Sequence, residues 1–384
     1  MLIESLLNKR LIMNYDWIVV GAGFTGAALG YELAKKGFSV LLLEQHATPD
    51  NATRYSYGGL AFWSATTPLT RKLCDEAKTR YNVLPQELTT NIEFRELDLL
   101  LTIDVDSDVD AIYKSYTRFA TQPTLLDVQQ ACELEPLLNK NSIEGALTVK
   151  HGHINPQKTA QAYIQAFLRL GGKLEIAQVL QFNHQNSQVS VKTTTDTYHA
   201  EKIVVCAGGI SRQLLKESGI SVQLYFTHAE ILETPPVEIK LSTLVMPAIL
   251  QRFQLEAKSS QNDELWCEPG NEPETAILDA GAVQFLDGSL RIGQISRVFS
   301  ARDSKGDEKW LQKRISQIIP ALANVPAKWH RCLVAFSKDS LPLVGAIPDS
   351  EGIYIFSGFS NPLVLVPPLA ERFANWVSGS GSWE

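Results

Sequence analysis

The first fifty residues alternate between short apolar runs and polar turns, in the order strand, helix, strand. Residues 17–20 are wholly apolar, as expected for a parallel strand that is buried on both faces. From Ala27 the pattern turns helical, with Leu29 and Leu33 able to face a sheet, and a lysine followed by a glycine closes the helix. Residues 38–43 repeat the apolar run. The pattern predicts a βαβ unit at the start of an α/β fold.

A glycine-rich turn joins the first strand to the helix. Gly21, Gly23 and Gly26 form the pattern GxGxxG, and Glu44 follows the second strand about twenty residues further along. The glycines suit a tight turn, a close approach of backbone to a pyrophosphate, and close packing of the helix on the strand. The helix N-terminus offers N–H groups to phosphates, and Glu44 can accept hydrogen bonds from ribose hydroxyls. The unit predicts a site for NAD or FAD rather than NADP.

Five further segments follow this unit in a fixed order. They are a small, polar loop with two glycines at 53–61, a G-H-I-N-P segment before a helix at 152–156, an apolar strand that runs into glycines at 202–209, a D-S-L-P-L-V-G-A segment at 339–346, and a strand that reaches S-G-F at 353–359. In this order the segments resemble the D-amino-acid oxidase family of FAD-dependent oxidoreductases, in particular its glycine oxidase and monomeric sarcosine oxidase branches.

The resemblance implies a glutathione-reductase-like FAD-binding Rossmann lobe and an α+β substrate lobe, built on an antiparallel sheet that roofs the flavin. It predicts a discontinuous FAD-binding domain at 15–68, 143–223 and 328–384, a substrate-binding domain at 69–142 and 224–327, and an N-terminal extension at 1–14.

The βαβ unit and the resemblance together predict the residues that hold FAD. Ser56 can donate a hydrogen bond to a phosphate, and Gly58 and Gly59 let backbone approach a ring. Val179 stands where the family holds adenine through a backbone amide and carbonyl. A helix from about 365 to 376 would aim its N–H groups at the N1/O2 edge of the flavin. The full set is Gly21, Gly23, Phe24, Thr25, Gly26, Glu44, Gln45, Arg54, Ser56, Gly58, Gly59, Val179, Ala207, Gly208, Gly358, Phe359, Ser360, Asn361 and Leu363.

The chain departs from the family pattern at the substrate site. Glycine-oxidase-like sequences place an arginine for the substrate carboxylate before the aspartate of the 339–346 segment, and Val334 stands there instead. Arginine suits this role because its fork meets a carboxylate bidentately. We expect Arg291 to be the catalytic replacement, since it matches the lysine that monomeric sarcosine oxidases place near the flavin. A solvated edge arginine is the alternative for Arg291, and Arg297 and Arg54 are the other candidates.

A second departure and several reactive side chains complete the set of candidates. Residues 360–363 replace the glycines that the family carries after Gly358, which would narrow backbone access to the flavin. Cys332 falls where monomeric sarcosine oxidases attach FAD through a thioether, and a small buried residue is the alternative. The histidines show no ligand-like spacing, so we expect neither a metal site nor a catalytic histidine. The histidines considered are His153, His228 and His330.

The amino-acid composition limits the classes of partner and the cellular location that we expect for the chain. The 42 acidic residues outnumber the 35 basic ones and no Lys/Arg run occurs, which argues against nucleic-acid binding. No window approaches the roughly 20 uninterrupted apolar residues that a membrane-spanning helix needs. The 5 cysteines are scattered and fit neither a disulfide framework nor a CxxC motif, which favours the cytoplasm. Residues 1–14 lack the ordered zones of an export signal.

The resemblance implies an FAD-dependent amine or amino-acid oxidase or dehydrogenase. Hydride would pass from the α-carbon of a small amine or amino acid to flavin N5, the imine would be hydrolysed, and oxygen or another acceptor would reoxidise the flavin. Val334 leaves a hydroxy acid or a biosynthetic intermediate as the alternative substrate. A flavoprotein whose FAD is structural is a second alternative. An NAD-dependent dehydrogenase is a third, against which the 56–59 and 339–358 segments argue.

Overall fold

Two β-sheets organise the chain in a computed structural model, which describes residues 14–185, 188–266, 270–272, 274–299, 307–339 and 341–381. Most of the N-terminal extension at 1–14 lies outside the described residues, as do Cys267 and Ser340. The strands are β1 (Asn14–Val20), β2 (Val40–Glu44), β3 (Gly59–Leu60), β4 (Arg95–Asp104), β5 (Thr124–Leu126), β6 (Ile143–His153), β7 (Lys173–Ile176), β8 (Val179–Gln185), β9 (Gln188–Thr193), β10 (Thr197–Val205), β11 (Leu224–Glu233), β12 (Leu244–Pro247), β13 (Glu274–Gln284), β14 (Leu290–Val298), β15 (Lys328–Ser337), β16 (Leu343–Ala346) and β17 (Ile353–Ser357). The α-helices are α1 (Phe24–Lys35), α2 (Ala52–Tyr55), α3 (Pro68–Glu87), α4 (Val109–Ser115), α5 (Val128–Leu134), α6 (Pro156–Arg169), α7 (Ser211–Glu217), α8 (Gln251–Ser259), α9 (Glu308–Ile318) and α10 (Pro362–Val377).

The first sheet is the parallel one. Its strands run in the order β16, β17, β10, β1, β2 and β7, and β8 and β9 extend it as an antiparallel pair from β10. The inner neighbours β17, β10, β1, β2 and β7 are all parallel to one another. Parallel strands need crossovers, and α1 provides the crossover between β1 and β2.

Both faces of this sheet are covered, which explains the unbroken apolar runs of its strands. Trp17 and Val19 join the core that includes α1, α6 and α10, whereas Ile18 and Val20 join a core on the opposite face. The apolar run at 17–20 is therefore buried on both sides, as its sequence predicts. Helix α1 begins at Phe24, three residues before the expected start, because Gly23 is its N-cap.

The second sheet is mostly antiparallel and lies over the carboxyl edge of the first. Its strands run in the order β15, β11, β14, β13, β12, β4, β6 and β3, and β5 pairs with β6. Residues 286–288 form the predicted turn between β13 and β14. A parallel-sheet Rossmann lobe beside an α+β lobe on an antiparallel sheet confirms the predicted fold class.

Strand pairing bears on the expected boundaries between the two lobes. Strands β3, β6 and β15 belong to segments that we assigned to the FAD-binding domain, yet all three pair in the second sheet. The motifs at 152–156 and 339–346 lie just after β6 and β15, so each segment crosses from one sheet to the other at its motif. The division into two domains stays a prediction, with its crossings nearer 154 and 338 than 143 and 328.

No described helix is both long and apolar enough to cross a bilayer.

Candidate active site

The turn after β1 is shaped by glycines that admit no side chain. Gly21 has a φ of +100°, and a Cβ placed there would lie 2.8 Å from the carbonyl oxygen of Cys206. A Cβ on Gly26 would lie 1.8 Å from the carbonyl oxygen of Gly21. Because Gly21 has no side chain, the end of β1 can lie close to the end of β10. Because Gly26 has none, the first turn of α1 can pack against the end of β1. Together they bring the N-terminus of α1 to the carboxyl edge of the sheet.

The N-terminus of α1 keeps its amides available. Gly23 caps the helix without a side chain, and the first turn contains no acidic residue. The N–H of Phe24 donates to the hydroxyl of Thr53 at 2.9 Å, which ties the loop at 53–61 to this end of the helix. A helix N-terminus carries a partial positive charge and is suited to bind an anion, which agrees with the phosphate site that the sequence predicts here.

Glu44 lies beside the turn at the end of β2. Its Oε2 accepts the N–H of Ala22 at 2.8 Å, and its Oε1 accepts the N–H of Gln45 at 2.9 Å. These bonds fix the carboxylate in the wall of a large cavity. The remaining lone pairs can accept from ribose hydroxyls, since a carboxylate has about four acceptor positions.

A cavity of about 1120 Å³ runs from this turn to the space beneath the second sheet. Its walls include most of the residues that the sequence predicts for FAD: Gly21, Gly23, Phe24, Thr25, Glu44, Gln45, Ser56, Gly59, Val179, Ala207, Gly208, Gly358, Phe359, Ser360, Asn361 and Leu363. The remaining three are Gly26, Gly58 and Arg54. Gly26 lets α1 pack closely against the turn at Gly21, and Gly58 lets the loop approach the backbone of Ile154, since a Cβ there would lie 2.1 Å from its carbonyl oxygen. Arg54 lines a different pocket.

The cavity suits FAD on structural grounds. Gly208 has a φ of +55°, and a Cβ added there would meet no atom within 4 Å. Since Gly208 also lines the cavity, that side chain would enter the space where the turn approaches its ligand. The cavity is larger than the roughly 300–1,000 Å³ of an ordinary ligand pocket, as an extended dinucleotide with a ring system requires.

The roof of the cavity comes from three neighbouring strands of the second sheet. Ala229 and Ile231 of β11, Gly293 of β14, and Cys332 and Val334 of β15 line it. Ala229 pairs with Cys332 across the sheet, so both side chains point to the cavity face. Val334 therefore places an apolar side chain where glycine-oxidase-like sequences carry arginine.

Tyr57 lines the cavity and contacts strands β13 and β14 of the second sheet. Its hydroxyl donates to the carbonyl oxygens of Gly293, at 2.7 Å, and Gly281, at 3.1 Å. Arg291 lies two residues from Gly293 on the same strand and lines a second pocket, where its Nη2 is 2.7 Å from Glu233 Oε1. The structure therefore corrects the expectation that Arg291 enters the substrate space, because the side chain lines this second pocket and not the large cavity.

The two other predicted cations are also engaged elsewhere. Arg297 donates to the buried carboxylate of Glu230 at 3.0 Å, and Arg54 donates to Glu233 at 2.7 Å. Neither lines the large cavity. Both pair with carboxylates of β11, which sequence spacing could not reveal.

Arg252 is a cation in the cavity wall that sequence reasoning missed. It lies in the first turn of α8, which Asp279 caps by accepting the N–H groups of Gln251 and Arg252 at 3.0 and 3.1 Å. Its Nε is 3.4 Å from Glu256 and its Nη2 is 3.5 Å from the carbonyl oxygen of Ser360. Helix α8 carries no motif, so only the fold brings Arg252 to the segment at 358–363 that the sequence predicts to bind the flavin.

His151 is a second missed residue of the cavity wall. The indole N–H of Trp63 donates to its Nδ1 at 3.1 Å, which leaves the proton of the neutral ring on Nε2. Burial lowers the pKa of His151 to about 4, so the ring stays neutral at physiological pH. A neutral donor at the wall does not repel an amine as a cation would.

The remaining candidates have packing partners. Cys332 lines the cavity, its Sγ lies 3.8 Å from the carbonyl oxygen of Ala229, and burial raises the pKa of the thiol to about 12. His153 contacts Arg95 at 3.4 Å, His228 contacts the Phe299 carbonyl at 3.2 Å, and His330 stacks on Tyr55 at 4.3 Å. Among the described residues, no group of His, Cys, Asp and Glu side chains could hold a metal ion.

Comparison with known proteins agrees with this geometry. The model of the DAO family, described as FAD dependent oxidoreductase, matches residues 16–376. The chain belongs to that family. It is therefore an enzyme, and its cofactor is FAD.

The relatives cover nearly the whole chain at low identity. The glycine oxidase of Geobacillus kaustophilus is 25% identical over 370 residues, which are 93% of this chain and 90% of the relative. The crystal structure of glycine oxidase from that organism superposes with a TM-score of 0.79 at 23% identity, over 96% of each chain. The L-proline dehydrogenase from P. horikoshii superposes with a TM-score of 0.77 at 19% identity, over 97% of this chain and 96% of that one. At these identities the structures establish a shared fold.

Proposed function

We propose that the protein oxidises the C–N bond of a small amine or amino acid, with FAD as the hydride acceptor. The observation that carries this proposal is a single cavity that joins the glycine turn at Gly21 to the apolar roof at Val334. Bound FAD supplies an acceptor for two electrons and a proton as hydride. The protein supplies the binding, the orientation and the exclusion of water.

In this proposal the cofactor follows the cavity wall from one lobe to the other. The amides at the N-terminus of α1 hold the diphosphate, Glu44 accepts from the ribose, and Val179 borders the adenine. Ser360 and Asn361 precede α10, whose N-terminal N–H groups favour negative charge at the flavin edge nearest to them. These assignments are supported by cavity lining and by the fit of the glycine turn.

The apolar roof supports oxidation of an uncharged amine. When hydride leaves the α-carbon, the nitrogen lone pair forms the C=N bond, so the amine must reach the site unprotonated. Ala229, Ile231, Met246 and Val334 present apolar surface to the cavity, and such surroundings disfavour an ammonium ion. Water then hydrolyses the imine to a carbonyl compound and releases the amine, and oxygen or another acceptor takes the electrons.

Arg252 is the residue that we propose for a substrate carboxylate. It replaces the family arginine at a different point of the cavity, and it is oriented by the cap from Asp279 and the contact with Glu256. Burial raises the pKa of Glu256, and the nearby Arg252 guanidinium opposes this shift. A carboxylate bound by Arg252 would place the α-carbon within the roofed end of the cavity.

Arg252→Gln tests this role. Loss of a hydrogen bond to a charged group costs about 1.5 to 3 kcal/mol, so the substrate concentration that half-reduces the enzyme should rise about tenfold or more. Arg118→Gln is the matched control, because Arg118 also lines the cavity but is exposed. Equal effects of the two substitutions would refute a specific role for Arg252.

The substrate class is tested by visible absorbance of the purified holoenzyme under anaerobic conditions. We expect glycine, sarcosine, proline or one of a panel of D-amino acids to bleach the flavin band, and the rate at which air restores it distinguishes an oxidase from a dehydrogenase. Bleaching by hydroxy acids alone would favour the alternative substrate class that Val334 makes reasonable. A flavin that no compound of either class reduces would favour a structural cofactor.

We also propose a cytoplasmic location. Cys74, Cys132, Cys206 and Cys332 are free thiols in the described part of the chain, as a reducing compartment would leave them. Fractionation of cells that produce the tagged protein would test this.

A further inference from the structure

The pocket that Arg291 lines is a second concave site, distinct from the large cavity proposed for FAD. It has a volume of about 690 Å³ and is bordered by α6, by the turn between β13 and β14, and by the start of β15. Four cationic side chains line it, Arg54, Lys158, Arg291 and Lys328, against the carboxylates of Glu233 and Asp287. The pocket wall therefore carries more cationic than anionic side chains in a protein of net charge −7, with Lys158 also paired to Glu93 outside the wall.

Arg291 is buried and Arg54 is partly buried, and both are incompletely paired. Both Arg54 Nη2 and Arg291 Nη2 lie 2.7 Å from the same oxygen of Glu233, so one carboxylate serves two guanidinium groups. Within the described residues, Arg54 Nη1 and Arg291 Nε and Nη1 are buried without a hydrogen-bond partner. The Arg291 side chain is only 8% exposed. A buried donor without a partner costs about 1–3 kcal/mol, and an oxyanion ligand would remove that cost.

The pocket also receives the N-terminus of α6, a helix of 14 residues. Gln157, Lys158 and Gln161 of its first turns line the pocket, and the first turn has no acidic residue. The helix dipole therefore adds to the positive potential of the side chains. Guanidinium forks, lysine ammonium groups and a helix N-terminus are the combination that recognises carboxylate and phosphate groups.

We propose that this pocket binds a small oxyanion, such as a polycarboxylate or a phosphate-bearing metabolite, and that the ligand acts as an effector of the FAD site. Arg54 connects the two sites, because it belongs to the same turn, α2, as Tyr55, which lines the FAD cavity. Tyr55 in turn stacks on His330 at a ring distance of 4.3 Å, and His330 Nε2 is 3.1 Å from Glu233. A ligand that draws Arg54 or Arg291 from Glu233 would shift these contacts. This inference does not depend on the proposed substrate.

The test is isothermal titration calorimetry, in which the FAD-loaded enzyme is titrated with inorganic phosphate and, separately, with citrate. Saturable binding with a dissociation constant below about 1 mM is expected for at least one of them. Citrate binding alone would identify a polycarboxylate, and phosphate binding alone a phosphate ligand. Visible absorbance followed in the same titration should show a shift of the flavin band. Binding without that shift would overturn the effector role.

Substitutions locate the binding. Lys328 is exposed, so Lys328→Gln should leave folding and FAD content unchanged while weakening anion binding about tenfold, or about 1.4 kcal/mol. Arg291→Lys keeps the charge but loses the fork, and should weaken binding severalfold. The control is Lys72→Gln, an exposed lysine outside both pockets. Absence of saturable binding of both anions, or unchanged binding by Lys328→Gln and Arg291→Lys, would overturn the site.

Discussion

Two glycines of α1 provide a matched test of the dinucleotide turn. Gly26 and Gly30 lie one helical turn apart, and neither has a positive φ, so alanine is compatible with the backbone at both. A Cβ at Gly26 would lie 1.8 Å from the carbonyl oxygen of Gly21, whereas a Cβ at Gly30 would lie 3.8 Å from the nearest atom of Phe167. The first distance demands movement of backbone, and the second is ordinary contact.

The two substitutions should change the free energy of unfolding in opposite directions. Gly30→Ala should stabilise the protein by about 0.5–1 kcal/mol, because alanine loses less backbone entropy in a helix. Gly26→Ala receives the same gain but forces the helix away from Gly21, and overpacking of this kind costs about 1–3 kcal/mol or more. The displacement also moves the amides at the helix N-terminus from the position where they meet the diphosphate.

The assay is FAD content per protein after purification, together with the thermal unfolding midpoint. Gly26→Ala should lose most of its FAD and unfold at a lower temperature, while Gly30→Ala should keep its FAD and unfold at the same or a slightly higher temperature. A Gly26→Ala protein that holds FAD as tightly as the unmodified chain would refute the close approach of α1 to Gly21 and the phosphate site that depends on it.

Two further predictions concern Glu44 and His151. Glu44→Gln should weaken FAD binding about tenfold, or about 1.4 kcal/mol, because the amide is a poorer acceptor for ribose hydroxyls. A fluorescence titration of the apoprotein with FAD measures this change. Glu217→Gln, also on the cavity wall, is the control, and equal losses of affinity in the two variants would contradict the ribose role of Glu44. His151 has a folded-state pKa of about 4 against an ordinary value of 6.5, so the unfolded chain binds the extra proton between these values. The free energy of unfolding should therefore fall as pH drops from 6.5 to 4 and show no further His151 contribution below 4, by on the order of 3 kcal/mol in total. His151→Gln should flatten this dependence in denaturant titrations while exposed His46→Gln should not, and parallel curves for His151→Gln and the unmodified chain would contradict the buried neutral ring.

The sequence by itself determined the fold class and the FAD-binding edge. The βαβ unit is contiguous, so its strand, turn, helix and acidic residue are fixed by short-range patterns. Close packing leaves no room for a side chain at Gly21 or Gly26, and this makes the pattern readable without a structure. The motifs at 202–209 and 353–359 could be placed because each joins a parallel strand of the first sheet to a glycine turn at the same edge as Gly21.

Only the tertiary structure decided which side chains line the roofed end of the cavity, where we propose that the substrate binds. The alternation of β14 gives the face on which Arg291 lies, but not that its side chain lines another pocket, where it pairs with Glu233. Arg252 reaches Ser360 from a helix without any motif. Contacts between residues distant in sequence depend on the packing of the two sheets, and no local pattern of residues encodes that packing.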